Sequence, residues 1–387
     1  MRICHVSPHL PPDQAANALL PAELAAWARA RGDEVTLVSH EPAQGRAAQD
    51  LPAGRVVRIP KKARAGGISR LLRLDTLKQA RLINEELNRS AAQSDLLHLH
   101  SNGLIIEVAA AWAARRGIPY VLTLYGTEIW HYRRRWPIDP FTRAYHGARA
   151  VTFYSRKLME RAIELGLTRD RLTVVYPTIG TAFAPQDETT RAAWRSALGI
   201  AEPRVILNVK RLHELAGQRY LVDAFARLSH QRRDVRLIIC GTGPLKEALE
   251  SQARDAGVAD RVTFTGLVSN AEVARFAAVA DVFALPSLLE ALPTVAVEAL
   301  ASGTPVVSAD HPGGLELHDI FGDDVQVVPK TNVDRLTDAL TRAVDRPRRV
   351  TAATLALVTK QFGQDEVWRR YEEQYALSQK SEVKSQK

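Results

Sequence analysis

Short apolar, β-branched runs alternate with longer stretches of helical spacing along nearly the whole chain. In the first half the runs are RICHVS (2–7), EVTLVSH (34–40), RVVRI (55–59), DLLHLHS (95–101), YVLTLYG (120–126), AVTFYS (150–155) and LTVVYP (172–177). A second series follows: RVILNVK (204–210), VRLIICG (235–241), RVTFTG (261–266), DVFALPS (281–287), TPVVSAD (304–310) and DVQVVP (324–329). Most of these runs are continuously apolar instead of alternating, as strands buried on both faces require, so the pattern predicts parallel sheets with crossover helices. The segment between the series, PTIGTAFAPQDETTRAAWRSALGIAEP, is rich in proline, threonine and polar residues and reads as a crossing between domains. The expected fold is therefore α/β, with two doubly wound domains in tandem. They cover residues 1–185 and 195–359, with a cleft at the carboxyl ends of both sheets. The last helical pattern, within 360–377, carries Trp368, Tyr371 and Tyr375 as its buried set and is expected to pack back on the N-terminal domain; the tail SQKSEVKSQK reads as frayed.

At 387 residues with 46% hydrophobic content, the chain exceeds the size of a single core, in keeping with two domains. Cys4 and Cys240 sit far apart in apolar runs, so neither a disulfide framework nor a cysteine metal site is expected, and a reducing, cytoplasmic compartment is. The opening MRICHVSPHLPPDQ has too short an apolar run for a signal peptide or a membrane span. A formal charge of +9 calls for an anionic partner or a solvated basic face. Nucleic acid is not expected, because no helix-turn-helix or aromatic sheet motif is present.

The chemistry concentrates in PSLLEALPTVAVEALASGTPVVSAD (286–310). Pro293 is expected in the first turn of a helix and Gly303 as its stop, placing Glu290 on the entering loop and Glu298 about one and a half turns in. The N–H groups of Thr294 and Val295 at the positive helix end suit a phosphate. Glu298 can accept from two vicinal hydroxyls, and Glu290 can do the same for a second polyol or face a developing positive charge. On spacing alone the alternative is an acid favouring the helix dipole beside a surface glutamate.

With its two glutamates eight positions apart and the EALASGTPVV continuation, this segment resembles the donor-site signature of the retaining family 4 glycosyltransferases. The resemblance extends through NVKRL, LIICGTGPLKEALE, RVTFTGLVSNAEVARFAAVADVFALPS and Gly313-Gly314. It implies the GT-B fold of two Rossmann-like domains, a nucleotide diphosphate sugar as donor, and no cofactor or bound metal. Carried over by position, Glu298 would bind the donor ribose, Glu290 would lie beside the donor sugar, and Arg211 would hold the diphosphate. A guanidinium suits that role because it stays charged and binds phosphate through two bonds. Gly241 and Gly243, after a strand, would let the backbone approach the ligand; Lys246 stands where a dinucleotide fingerprint needs a third glycine. The backbone at Leu267 and Val268 would meet the base, or form a plain turn.

Three departures stand out. Relatives follow the arginine with a lysine five residues later, but here that position is Ala216, with Lys210 and Lys246 as candidate substitutes. The first loop lacks paired glycines, leaving Gln14 and Asn17 to contact a sugar, or Asn17 to cap a helix. Tyr125 stands where many relatives have a histidine. His131, in a basic and aromatic cluster, is the best histidine for an acceptor, which would be a sugar, glycolipid or small molecule. Residues 55–73 form a basic stretch that could meet an anionic membrane or remain a solvated loop. The alternatives to a transferase are a non-catalytic sugar-nucleotide binder, or an epimerase or hydrolase of the same architecture.

Overall fold

The structure, a computed structural model, describes residues 1–13, 16–42, 51, 54–61, 74–135 and 139–380. The chain divides into two compact units: Met1–Tyr176 together with the chain from Val367 onward, and Pro177–Glu366.

The first unit holds β1 (Arg2–Ser7), β2 (Glu34–His40), β3 (Arg55–Ile59), β4 (Leu96–His100), β5 (Tyr120–Leu124), β6 (Ala150–Phe153) and β7 (Leu172–Val174), in the order β3-β2-β1-β4-β5-β6-β7. The second holds β8 (Arg204–Val209), β9 (Val235–Cys240), β10 (Val262–Gly266), β11 (Val282–Leu285), β12 (Val306–Ala309) and β13 (Val325–Val328), in the order β10-β9-β8-β11-β12-β13. Every pairing is parallel. The apolar runs became strands because helices cover both faces: β4, β5, β6, β11 and β12 are buried at every residue. Strand order reverses between β1 and β4 in one sheet and between β8 and β11 in the other. Such switch points open a crevice beyond the carboxyl ends of the strands, where ligands of open α/β sheets bind.

The segment read as a crossing contains a helix, Glu188–Ala197, capped by the Asp187 carboxylate, which accepts from Thr190 N at 2.7 Å. None of its residues is buried, so tertiary packing does not mark it as a core element. The final helix runs Gln364–Lys380, so Ser378, Gln379 and Lys380 are helical, not frayed. Its Val367, Trp368, Tyr371 and Tyr375 join Leu20, Leu24, Leu37 and Val121 in one apolar cluster of the first unit.

Candidate functional site

Strand β8 pairs with β11 in the register Val282↔Ile206 and Phe283↔Leu207. The residues that follow these two strands are therefore neighbours at the switch point, though some 80 positions apart. Lys210 leaves β8 with its N–H on Cys240 O at 3.0 Å, and Leu212 N donates to Thr242 O at 3.0 Å. Between them Arg211 is exposed, its carbonyl accepting from the buried Gln218 side chain at 3.2 Å. This close lacing explains Gly241 and Gly243. Gly241 has φ +140°, and a Cβ there would collide with the Lys210 carbonyl; at Gly243 it would collide with that of Leu212. What these glycines approach is the neighbouring backbone strand, a reason distinct from the ligand contact inferred from sequence.

Glu290, on the loop after β11, meets this strand end directly. Its Oε1 lies 2.6 Å from Lys210 Nζ, with side chains 16% and 22% exposed, and its carbonyl accepts from Gly313 N at 3.0 Å. Close by in the same unit is His311, fully buried and capping helix Pro312–Phe321 by accepting from Gly314 N at Nδ1, 2.9 Å away. Burial, then the Lys210 charge, push the His311 pKa down to about 3, so its ring is neutral with the proton on Nε2. Sequence reasoning missed His311 because histidine is an unusual cap; the signal was Pro312 at the first helical position.

Helix Thr294–Ala301 follows. Pro293 occupies the cap position ahead of it, not the first turn inside it, and does not cap it with a side chain, so Thr294 and Val295 present N–H groups without side-chain acceptors among the described residues. Gly303, at φ +84°, lies just beyond the helix, where a stop was expected. Glu298 is half-buried, has no side-chain hydrogen-bond partner among the described residues, and is pushed up to about pKa 7 by burial. A carboxyl group held in this state is suited to hydroxyl groups, which donate to it without placing a second charge in a covered site.

Leu267, after Gly266 at φ +73°, is 72% exposed, and Val268 leads into the Ser269–Glu272 capping box. The two lysine candidates separate. Lys246, the first residue of helix Lys246–Asp255, is exposed and pairs with Glu250 at 2.7 Å, whereas Lys210 faces Glu290. That helix begins two residues beyond Pro244. Ala216 is buried.

In the first unit, Gln14 lies outside the described residues. Asn17 sits inside helix Ala16–Ala30 instead of capping it, and its carbonyl accepts from Ser7 Oγ at 2.5 Å. Tyr125 follows β5, its hydroxyl 2.8 Å from His100 Nδ1; His131 is exposed at the end of helix Thr127–Trp130. The structure joins histidines that the sequence left scattered. His5 Nδ1 is 3.1 Å from His100 Nε2, while His98 bonds Tyr375 OH at 2.8 Å and Thr123 Oγ1 at 2.7 Å. One ring nitrogen from each of the three lies within 4.8 Å of the others, a spacing compatible with a metal ion. Of their six ring nitrogens, only His5 Nε2 lacks a hydrogen-bond partner among the described residues. Of the basic stretch 55–73, residues 62–73 fall outside the description; Arg58 Nη2 donates to Pro11 O at 2.6 Å. No helix among the described residues is long and apolar enough to cross a membrane.

Residues 190–378 match the family described as glycosyl transferases group 1, and residues 21–183 match glycosyltransferase family 4. The chain is also 30% identical over 269 residues to a 2-deoxystreptamine glucosyltransferase of Streptomyces kanamyceticus, covering 66% of this chain and 70% of that protein. The chain belongs to the group 1 and family 4 glycosyltransferases. A GDP-mannose-dependent α-(1-6)-phosphatidylinositol monomannoside mannosyltransferase of Mycolicibacterium smegmatis is 35% identical over 217 residues, 54% of this chain. The match spans 56% of that relative's length. Anabaena HepE in complex with UDP matches the fold with a TM-score of 0.76 at 18% identity, over 97% of this chain and 100% of that one. The two parallel sheets and this likeness give the GT-B fold.

Proposed function

We propose that this family 4 glycosyltransferase transfers a hexose-type sugar from a nucleotide diphosphate sugar to an acceptor hydroxyl, with retention of configuration. The observation that carries the reading is the Lys210–Glu290 contact at the β8/β11 switch point, with Arg211 next to Lys210 and, following Glu290, the helix start at Thr294 and Val295 and Glu298, which has no side-chain hydrogen-bond partner among the described residues. In this reading Glu298 accepts the two ribose hydroxyls and the helix N–H groups meet a phosphate. The guanidinium of Arg211 binds the diphosphate through two bonds. Leu267 and Val268 border the base, with Gly241 and Gly243 holding the strand ends in place. Glu290 faces the transferred sugar.

The reaction breaks the bond between the anomeric carbon and the phosphate oxygen, which keeps the electron pair. Positive groups already aimed at that oxygen stabilise its growing charge, and Glu290 stabilises the opposite charge growing on the sugar. The acceptor oxygen bonds to the anomeric carbon on the same face, and its proton passes to the departing phosphate oxygen. Neither a protein general base nor a resident metal or cofactor enters the proposal, because protein cations and the helix start supply the positive charge. The acceptor, with Asn17, Tyr125 and His131 as its weaker candidate contacts, and a cytoplasmic site with contact to anionic membrane through residues 55–73, belong to the same proposal. The named relatives differ in both sugar and acceptor, the one glucose on 2-deoxystreptamine and the other mannose on a phosphatidylinositol mannoside.

The test incubates the protein with UDP-, GDP-, ADP- and dTDP-sugars and candidate acceptors, and measures free nucleoside diphosphate and glycosylated product. Acceptor-dependent release of one diphosphate with an α-linked product supports the proposal. Binding without release makes the protein a binder, and conversion of donor without acceptor makes it an epimerase or hydrolase.

A further inference from the structure

We propose that Lys210 is the second cation of the diphosphate seat, replacing the one missing at position 216, and that Glu290 holds it in place. This inference rests on the donor reading above. At position 216 the chain has a buried alanine, which offers no charge. Lys246, the other lysine considered, is exposed and engaged by Glu250 one turn along its own helix. Lys210 is the residue directly before Arg211 and the first beyond β8, at the sheet's switch point. Its ammonium lies 2.6 Å from Glu290 and its side chain is 22% exposed, so it is positioned but reachable.

The placement is built by the backbone. Lys210 N donates to Cys240 O, and only a glycine at 241 leaves room for the Lys210 carbonyl. The backbone here is held on both sides, by β9 through Cys240 O and by the Gln218 side chain on Arg211 O, so the points from which both side chains start are fixed. Lysine at 210 and arginine at 211 thus present a point charge and a planar fork from one strand end. The buried, neutral His311 ring nearby adds no charge of its own. A diphosphate carries more negative charge than a single carboxylate, so it draws Lys210 more strongly than Glu290 does while leaving Glu290 within reach of the sugar. Glu290 thereby has two tasks: aiming Lys210, and facing the transferred sugar.

The experiment measures by calorimetry the binding of UDP, GDP, ADP and dTDP, each beside its monophosphate, to wild type, K210M and K210R. The expected result is that K210M weakens the preferred diphosphate by about tenfold or more, the loss of one charge-assisted bond. Its monophosphate affinity should change less than twofold, and K210R should recover most of the diphosphate affinity. The monophosphate also reports that the variant is folded. If wild type binds a diphosphate and K210M binds it equally well, the assignment of Lys210 falls and the donor reading stands. If wild type binds none of the four, the donor reading falls and this inference with it. Equal losses for mono- and diphosphate in K210M would make Lys210 a structural residue and overturn the assignment.

Discussion

Lys210 and Glu290, 80 positions apart in sequence, are locked at 2.6 Å because β8 and β11 are neighbours in the second sheet. In the proposal above Glu290 both aims Lys210 and faces the transferred sugar, and a substitution separates the two tasks. Replacing Glu290 by Gln keeps its shape but removes its charge. Transfer should fall on the order of 100-fold, as when one electrostatic contact to a transition state is lost. Nucleoside diphosphate affinity should fall far less, because Lys210 keeps its charge and loses only the carboxylate that aims it. Steady-state kinetics alongside direct binding checks this; an equal loss of both would leave aiming Lys210 as the sole task of Glu290.

Glu298 carries a cost in stability. Its folded pKa of about 7 lies above the ordinary carboxyl value, so the folded state holds a proton that the unfolded state releases. The favourable contribution is full below about pH 4.5, declines as pH rises, and is gone above about 7. E298Q should therefore be more stable than wild type at pH 8, by on the order of 1 to 3 kcal/mol, with the gap closing toward pH 4.5. Urea denaturation across that range measures it. A gap independent of pH would mean that Glu298 is not held protonated by burial.

The histidine network gives the opposite pH dependence. Burial lowers the pKa of His5 to about 3 and those of His98 and His100 well below the ordinary value. All three are neutral when folded and charge on unfolding. The stability they support is full above about pH 6.5 and is lost as pH falls toward 3. Each histidine steepens the loss by about 1.4 kcal/mol per pH unit in that window. Unfolding free energies at pH 7, 6 and 5 should drop steeply; a flat profile would contradict the burial of neutral rings.

The last helix is structural for the first unit. Tyr371 is fully buried, and Tyr375 is buried with its hydroxyl on His98. Tyr371→Ala should destabilise by about 3 to 5 kcal/mol, the cost of emptying a large aromatic site. Tyr375→Phe should cost about 1 kcal/mol, one hydrogen bond. Thermal unfolding of both variants provides the check, and a neutral Tyr371→Ala would contradict this packing.

Strands such as β11, VFAL, were readable because a strand covered on both faces must be apolar throughout. Helix Glu188–Ala197 was not, since none of its residues is buried; the Arg275 guanidinium lies over its Trp194, 5.9 Å from the ring centre. Glu298 could be placed on its helix from Pro293 and Gly303 alone. The contact between Lys210 and Glu290 could not, because it depends on strand order, and order is set by how sheets pack and not by any local pattern. The roles of Gly241 and Gly243 were hidden for the same reason, for what they make room for is the backbone of a neighbouring strand.

The central claim is that the second unit seats a sugar nucleotide through Glu298. It is tested most directly by a thermal-shift panel of UDP-, GDP-, ADP- and dTDP-sugars on wild type and Glu298→Ala. A ligand that binds only the folded state raises the unfolding temperature. One nucleotide sugar should raise it in wild type, and the same ligand at the same concentration should do so much less in the variant. An equal shift in both proteins, or none in wild type with any of the four, would contradict it.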